Sequence, residues 1–332
     1  MRLLQYPRLV REEIFSNMEY ETIFSLSLTS RNLLKLLKQS KWKPIEVAFV
    51  FDWRKFQIHF GDSTAPLELI SKTFDWYDIF PYGFFCGQQV HKLETKGESR
   101  EEIVMRMYNH ISELFQKCQS LTFGARISAS DTSYYVPIPS LNIATFKVWT
   151  SKYLTTFMKN HLDLKLLVLE EQPTKICSIK RFREVPDIIN IRNLRVVCFE
   201  KHFLAYMRNF KGVNAYFCGP TEAYQIRNFV YGWLNGQYSE NLNLIHIEQE
   251  DGERFGPDLL ENYRQNQWDL NKMPLEYQLD EGDKYYTQFP GPFKMENAVY
   301  VQRESDGKIL SLQNTSRVFI GCVWNHEDVF KE

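Results

Sequence analysis

A chain of 332 residues, 44% hydrophobic and 24% charged, has room for two domains, or for one small module and one large domain, and its make-up is that of an ordinary folded protein. Forty basic against 41 acidic residues leave a formal net charge of -1, so no global field recruits nucleic acid or an anionic membrane. No stretch approaches the roughly 20 apolar residues of a membrane helix, and the opening MRLLQYPRLVREE is too short and too soon charged for a signal peptide.

Residues 6–40 read as three short helices. Pro7 suits a helix entry, where its missing N–H costs nothing. Val10, Ile14 and Met18 recur every four residues as one stripe. Tyr20, Ile23 and Phe24 open a second helix with Leu26 and Leu28 pointing elsewhere, and Leu33, Leu34, Leu36 and Leu37 dominate a third. Pro44 breaks the pattern and sets a boundary between a module at 1–43 and a domain at 44–332.

From Ile45 the texture turns α/β. VAFVFDWRKFQIHF reads as two strands or one bent one. Ser99 and Glu102 form a capping box for a helix that runs to Cys118. Short strand-like segments then begin at Leu121, Leu141, Leu164, Leu194 and Leu242, with helical patches such as KYLTTFMKNH between some of them. That pattern reads as a degenerate leucine-rich-repeat arrangement with a mainly parallel sheet. A further helix starts after Pro220, with Thr221 as its cap, Ile226, Phe229, Val230 and Trp233 on one face, and Gly236 at its end. The last 35 residues read as antiparallel strands, with Asp306-Gly307 as a hairpin turn.

Chemistry-bearing motifs are sparse. The phosphate, nucleophile and zinc signatures G-x-G-x-x-G, G-x-x-x-x-G-K-[ST], G-x-S-x-G and H-E-x-x-H do not occur. Cys198 and His202 stand four apart, but a structural zinc site wants four ligands. No catalytic residue, cofactor or metal is therefore expected. The six scattered cysteines, none at C-x-x-C spacing, read as reduced thiols, and the sequon at Asn314 as chance. Residues 175–211 carry nine basic and three acidic side chains, and 248–284 carry eleven acidic and four basic ones. Lys180, Arg181 and Arg183 are the candidates for contacting an acidic substrate peptide; the plainer reading is solvated loops.

The first forty residues hold more apolar side chains than three short helices can hide. Leu9, Leu26, Leu28, Leu33 and Leu36 lie beyond one stripe per helix. Such a surface docks either on a partner or on the chain's own α/β domain.

Tyr6-Pro7, Leu9-Val10, Ile14, Met18, Ile23, SLSLTSR and Leu33-Leu34 resemble an F-box. RNFVYGWLNG, NLNLIHIE, YVQRESDGKILSL and RVFIGCVW resemble the type 2 F-box-associated domain of the F-box group expanded in nematodes. The resemblance implies an α+β protein: a small all-α three-helix F-box, then an α/β leucine-rich-repeat-like domain that ends in antiparallel strands. It implies a substrate-recognition subunit of a Skp/cullin/F-box ubiquitin ligase, working by proximity without chemistry of its own. Its partners would be a Skp-type adaptor, through it a cullin, and a protein substrate, within the cytoplasm, the nucleus or both. Pro7, Leu9, Val10, Ile14, Ile23, Leu26 and Leu28 are the expected adaptor-facing or supporting residues. Two other classes stand beside this one: an interaction module with no ligase role, and an enzyme whose site is assembled only by folding.

Overall fold

The computed structural model describes residues 5–43, 45–51, 56–61, 67–71, 91–95, 99–118, 120–128, 135–147, 151–170, 191–197, 203–249, 254–256, 259–263, 266–280 and 292–330. The chain forms two compact units, Met1–Ala144 and Thr145–Glu332.

The first unit begins with helices α1 (Arg8–Ser16), α2 (Tyr20–Thr29) and α3 (Arg31–Leu37). Strands β1 (Ile45–Phe51), β2 (Phe56–Phe60), β3 (Leu67–Ser71) and β4 (His91–Thr95) follow, then α4 (Arg100–Leu114) and β5 (Leu121–Ile127); β6 (Leu141–Phe146) crosses the division. VAFVFDWRKFQIHF resolves into β1 and β2, paired antiparallel, while β1 pairs parallel with β5. In β1, Ile45, Val47, Ala48, Phe49 and Phe51 are all buried, so both faces of this inner strand are covered. The capping box opens α4 as the sequence predicts: the Glu102 N–H donates to Ser99 Oγ at 3.2 Å and the Ser99 N–H to Glu102 Oε2 at 2.8 Å. Ile103, Val104, Met107, Ile111 and Leu114 form its buried face.

The second unit contains α5 (Ser151–Asn160), β7 (Leu166–Glu170), β8 (Asn193–Val197), α6 (Phe203–Asn209), β9 (Asn214–Cys218), α7 (Ala223–Leu234) and β10 (Leu244–Glu248). A short ladder of β11 (Glu276–Tyr277) and β12 (Phe293–Lys294) follows, then β13 (Val299–Gln302), β14 (Ile309–Asn314), β15 (Val318–Trp324) and α8 (His326–Val329). Strands β7, β8, β9 and β10 lie side by side, parallel, in chain order. β15 joins β10 antiparallel and leads on through β14 to β13. One face of the parallel strands is closed by Leu167, Leu169, Leu194, Val196, Ala215, Phe217, Ile245 and Ile247, all buried.

Strand β9, NAYFC, was not among the predicted strands. With it, the long interval between the Leu194 and Leu242 segments divides, and strands start at 193, 214 and 244. One other detail differs from expectation. The cap of α7 is Glu222, whose N–H donates to Gln225 Oε1 at 2.9 Å, and not Thr221. Thr221 is held elsewhere: its N–H donates to Gln249 Oε1 and its carbonyl accepts from Gln249 Nε2. At the other end, Gly236 sits at φ +68 as C′ of a Schellman motif. The Gly236 N–H reaches the Trp233 carbonyl at 3.0 Å, and the Gln237 N–H reaches the Gly232 carbonyl at 2.9 Å.

The predicted hairpin joins β13 to β14, and Gly307 adopts φ +73 in its turn. Arg303 opens the turn. Its guanidinium donates to Asp306 Oδ1 at 2.9 Å and Oδ2 at 2.5 Å, and lies 4.5 Å from the Trp233 ring centroid.

Candidate protein-docking surfaces

The three N-terminal helices share a small aromatic core with the rest of their unit. Pro7 precedes α1, whose first bond runs from the Arg11 N–H to the Pro7 carbonyl at 3.1 Å. A single extended residue, Ser30, separates α2 from α3 and forces a sharp turn. Phe15, Ile23, Phe24 and Leu37 are buried. Phe24 meets Phe60 of β2 at 5.5 Å and the His110 ring of α4 at 5.4 Å. Tyr20, Trp42 and Phe115 form a mutual edge-on cluster at 5.6–6.3 Å.

Polar ties complete that junction. Ser27 Oγ lies 2.6 Å from the Phe24 carbonyl and 2.7 Å from His110 Nε2. The hydroxyl has one proton, which goes to the carbonyl, so the imidazole Nε2–H donates to Ser27 Oγ. Burial holds the His110 pKa below its usual value, against the pull of Glu113. Lys38 and Glu113 pair at 2.5 Å near the surface.

This geometry sorts the expected adaptor-facing residues. Ile23 belongs to the internal core. Ile14 and Leu26 are half-buried. Pro7, Leu9, Val10 and Leu28 are exposed, Leu9 at 78% and Val10 at 42%. The stripe of Val10, Ile14 and Met18 is therefore not the inward face of α1; Phe15 is. Tyr6, 47% exposed, extends the uncovered apolar group. Beside it, a groove of about 780 Å³ runs between α1 and Ser40–Lys43, with Leu9, Phe15, Met18, Tyr20 and Trp42 among its lining. Periodicity alone did not single out Phe15 and Trp42; their size was the available signal.

In the second unit, the face of the parallel strands opposite the aliphatic one carries a polar row. Arg195, Tyr216 and His246 are successive cross-strand partners. The guanidinium lies 5.1 Å from the Tyr216 ring centroid, and Tyr216 stacks on His246 at 5.0 Å. The Tyr216 hydroxyl donates to Glu248, and burial raises its pKa. Burial pushes the His246 pKa down to about 4, with Glu248 pulling the other way. At the base of the same face the buried Asn214 Nδ2 donates to Asn193 Oδ1 at 2.8 Å. Phe293 of β12 comes within 6.5 Å of His246, so the row is a packed layer.

Lys180, Arg181 and Arg183, and the Cys198–His202 pair, lie outside the described residues. Among the described residues, no group of three or more His, Cys, Asp or Glu is placed to hold a metal ion. Cys118, Cys218 and Cys322 are free thiols, and no helix there is long and apolar enough to cross a membrane. No curated protein and no solved structure is significantly similar to the chain. Residues 7–44 match the F-box domain, so the exposed Pro7, Leu9, Val10 and Leu28 and the buried Ile23 all belong to an F-box.

Proposed function

We propose that this chain is a substrate-recognition subunit of a Skp/cullin/F-box ubiquitin ligase, with α1–α3 docking the Skp-type adaptor and the rest of the chain offering a substrate surface. The F-box match at residues 7–44 carries the reading. F-box proteins are generally non-catalytic adaptors that bind a Skp-type protein and a cullin. The exposed cluster supports it: Tyr6, Leu9, Val10 and Leu28 put aliphatic and aromatic surface into water where a soluble module gains nothing by it. In this reading Pro7, Leu9, Val10 and Leu28 touch the adaptor, Ile14 and Leu26 flank the contact, and Ile23 supports it from within.

The likeness of residues 44–332 to a type 2 F-box-associated domain of the nematode-expanded group, with leucine-rich-repeat character, belongs to the same proposal. It is supported by parallel strands that neighbour one another in chain order, by the hydrogen-bonded Asn193–Asn214 pair at equivalent places in β8 and β9, and by the antiparallel close of β13–β15.

The test is co-expression of the full chain with a Skp-type adaptor, wild type against Leu9→Asp and Leu28→Asp. Both side chains are exposed, so the variants should keep the wild-type circular dichroism and melting temperature. A buried anchor at such an interface is worth about 2 kcal/mol or more, a loss of roughly thirtyfold or greater in affinity. Stoichiometric adaptor with wild type and little with either variant is expected. A folded wild-type chain that brings down no adaptor would remove the ligase role and leave an interaction module.

A further inference from the structure

Helix α7 has an outward face unlike that of an ordinary solvated helix. Its inward face, Gln225, Ile226, Phe229, Val230 and Trp233, is buried. Along the other side stand Tyr224, Arg227, Asn228 and Tyr231, at i, i+3, i+4 and i+7, which a helix places along one line; Arg227 is half-buried and the other three are exposed. Tyr224 is 50% exposed and Tyr231 66%. The contrast with α4 is direct. The exposed positions near and on α4 include Glu101, Glu102, Arg106 and Glu113, mixed charges that keep a helix soluble. From Ala223 to Leu234 there is no lysine and no acid, and Arg227 is the one charge.

Tyrosine and arginine are the side chains enriched at protein interfaces and at their energetic centres, with asparagine as an adaptable hydrogen-bonding neighbour. Each tyrosine offers a large rigid surface at small entropic cost. Burial raises the Tyr263 pKa, with the Arg227 charge pulling the other way. No ion pair to Arg227 is formed among the described residues. A half-buried arginine about one turn along the helix from each of two exposed tyrosines is complementary to a carboxylate flanked by apolar groups.

We propose that the Tyr224–Arg227–Asn228–Tyr231 ridge is a docking surface for an acidic segment of the protein substrate, a carboxylate meeting Arg227 while neighbouring apolar side chains lie on the two rings. The inference rests on the substrate-receptor reading and names the class of substrate it takes.

The test uses the full chain and two fluorescein-labelled peptides, one alternating Asp with Leu and Phe, the other with every Asp replaced by Asn. Binding is read by fluorescence anisotropy in low and moderate salt. Wild type is expected to bind the acidic peptide, to bind its Asn counterpart at least tenfold more weakly, and to lose affinity as salt rises. Arg227→Glu should lower affinity for the acidic peptide at least tenfold, and the double change of Tyr224→Ala with Tyr231→Ala should do the same. Equal melting temperatures establish that these surface variants are folded. No binding of the acidic peptide, equal binding of the two peptides, or an unchanged Arg227→Glu would each overturn the ridge. The adaptor co-expression assay runs on the same preparations and judges the receptor reading separately, since none of these substitutions lies in α1–α3.

Discussion

At the scale of single residues, His246 shows how packing sets a charge state. Its ring lies between the Tyr216 stack and Phe293, where water cannot solvate an imidazolium, and its pKa falls from the ordinary 6.5 to about 4. The unfolded chain takes up a proton below about pH 6.5, whereas the folded one does not until about pH 4. A depressed histidine pKa thus contributes stability that is complete above pH 6.5 and drains away as pH falls towards 4, by at most about 3 kcal/mol. His161 is depressed by burial in the same sense, so the informative quantity is a difference between two curves. Urea denaturation from pH 7 to 4 should show a shallower loss for His246→Gln than for wild type. Parallel curves would mean that the folded His246 takes up its proton at the same pH as the unfolded one. Leu9 teaches the complementary lesson: it sits in the same short helix as Phe15, yet one is 78% exposed and the other buried.

At the scale of elements, helix ends, turns and strands were legible where local chemistry decides them. Ser99 and Glu102 announce α4 because a cap needs only residues three apart. Asp306-Gly307 announces the β13–β14 turn because few residues tolerate positive φ. Gly236 ends α7 for the same reason. Tertiary pairing decided the rest. Thr221 is a good cap by type, yet Gln249, far along the chain, claims its backbone. NAYFC is too short and too mixed to stand out as a strand; its pairing with both β8 and β10 makes it one. Arg303 is the strongest such case. A sequence reader sees one charge beside a turn, whereas the folded chain buries it to 2% exposure, between Asp306 and the Trp233 ring of α7. It therefore fastens the hairpin to the helix. Arg303→Ala leaves Asp306 without its partner and opens space beside Trp233, at an expected cost of about 2 kcal/mol, moderated because the carboxylate retains some water. Asp306→Asn keeps the shape and should cost about 1 kcal/mol. Thermal melts of the two variants test the ranking, and an Arg303→Ala protein as stable as wild type would refute the fastening.

At the scale of the whole molecule, the F-box helices are not a detachable bead. The sequence showed an apolar excess in residues 6–40 and left open whether a partner or the chain itself covers it. Both are true of different side chains. Ile23, Phe24 and Ser27 turn inward to β2 and α4, while Tyr6, Leu9, Val10 and Leu28 remain uncovered. No periodicity could divide them, because α1, α2 and α3 are too short for a stripe to declare its facing. The division has a consequence for where the chain can be cut. Removing residues 1–43 takes Phe24 from Phe60 and His110, and Tyr20 and Trp42 from Phe115. Losing one large buried aromatic ring typically costs about 3–5 kcal/mol, and several at once exceed the whole stability margin of many domains. Residues 44–332 alone are therefore expected to bind a hydrophobic dye, to be cleaved rapidly around β2 and α4, and to lose the melting transition of the first unit. The three helices alone, at under 45 residues, should give little helical circular dichroism. Adding the helices back in trans should restore dye exclusion if the aromatic junction is what was lost. A truncated chain that melts like the full one and excludes the dye would show instead that the junction is dispensable, and that the F-box is carried as a separate module after all.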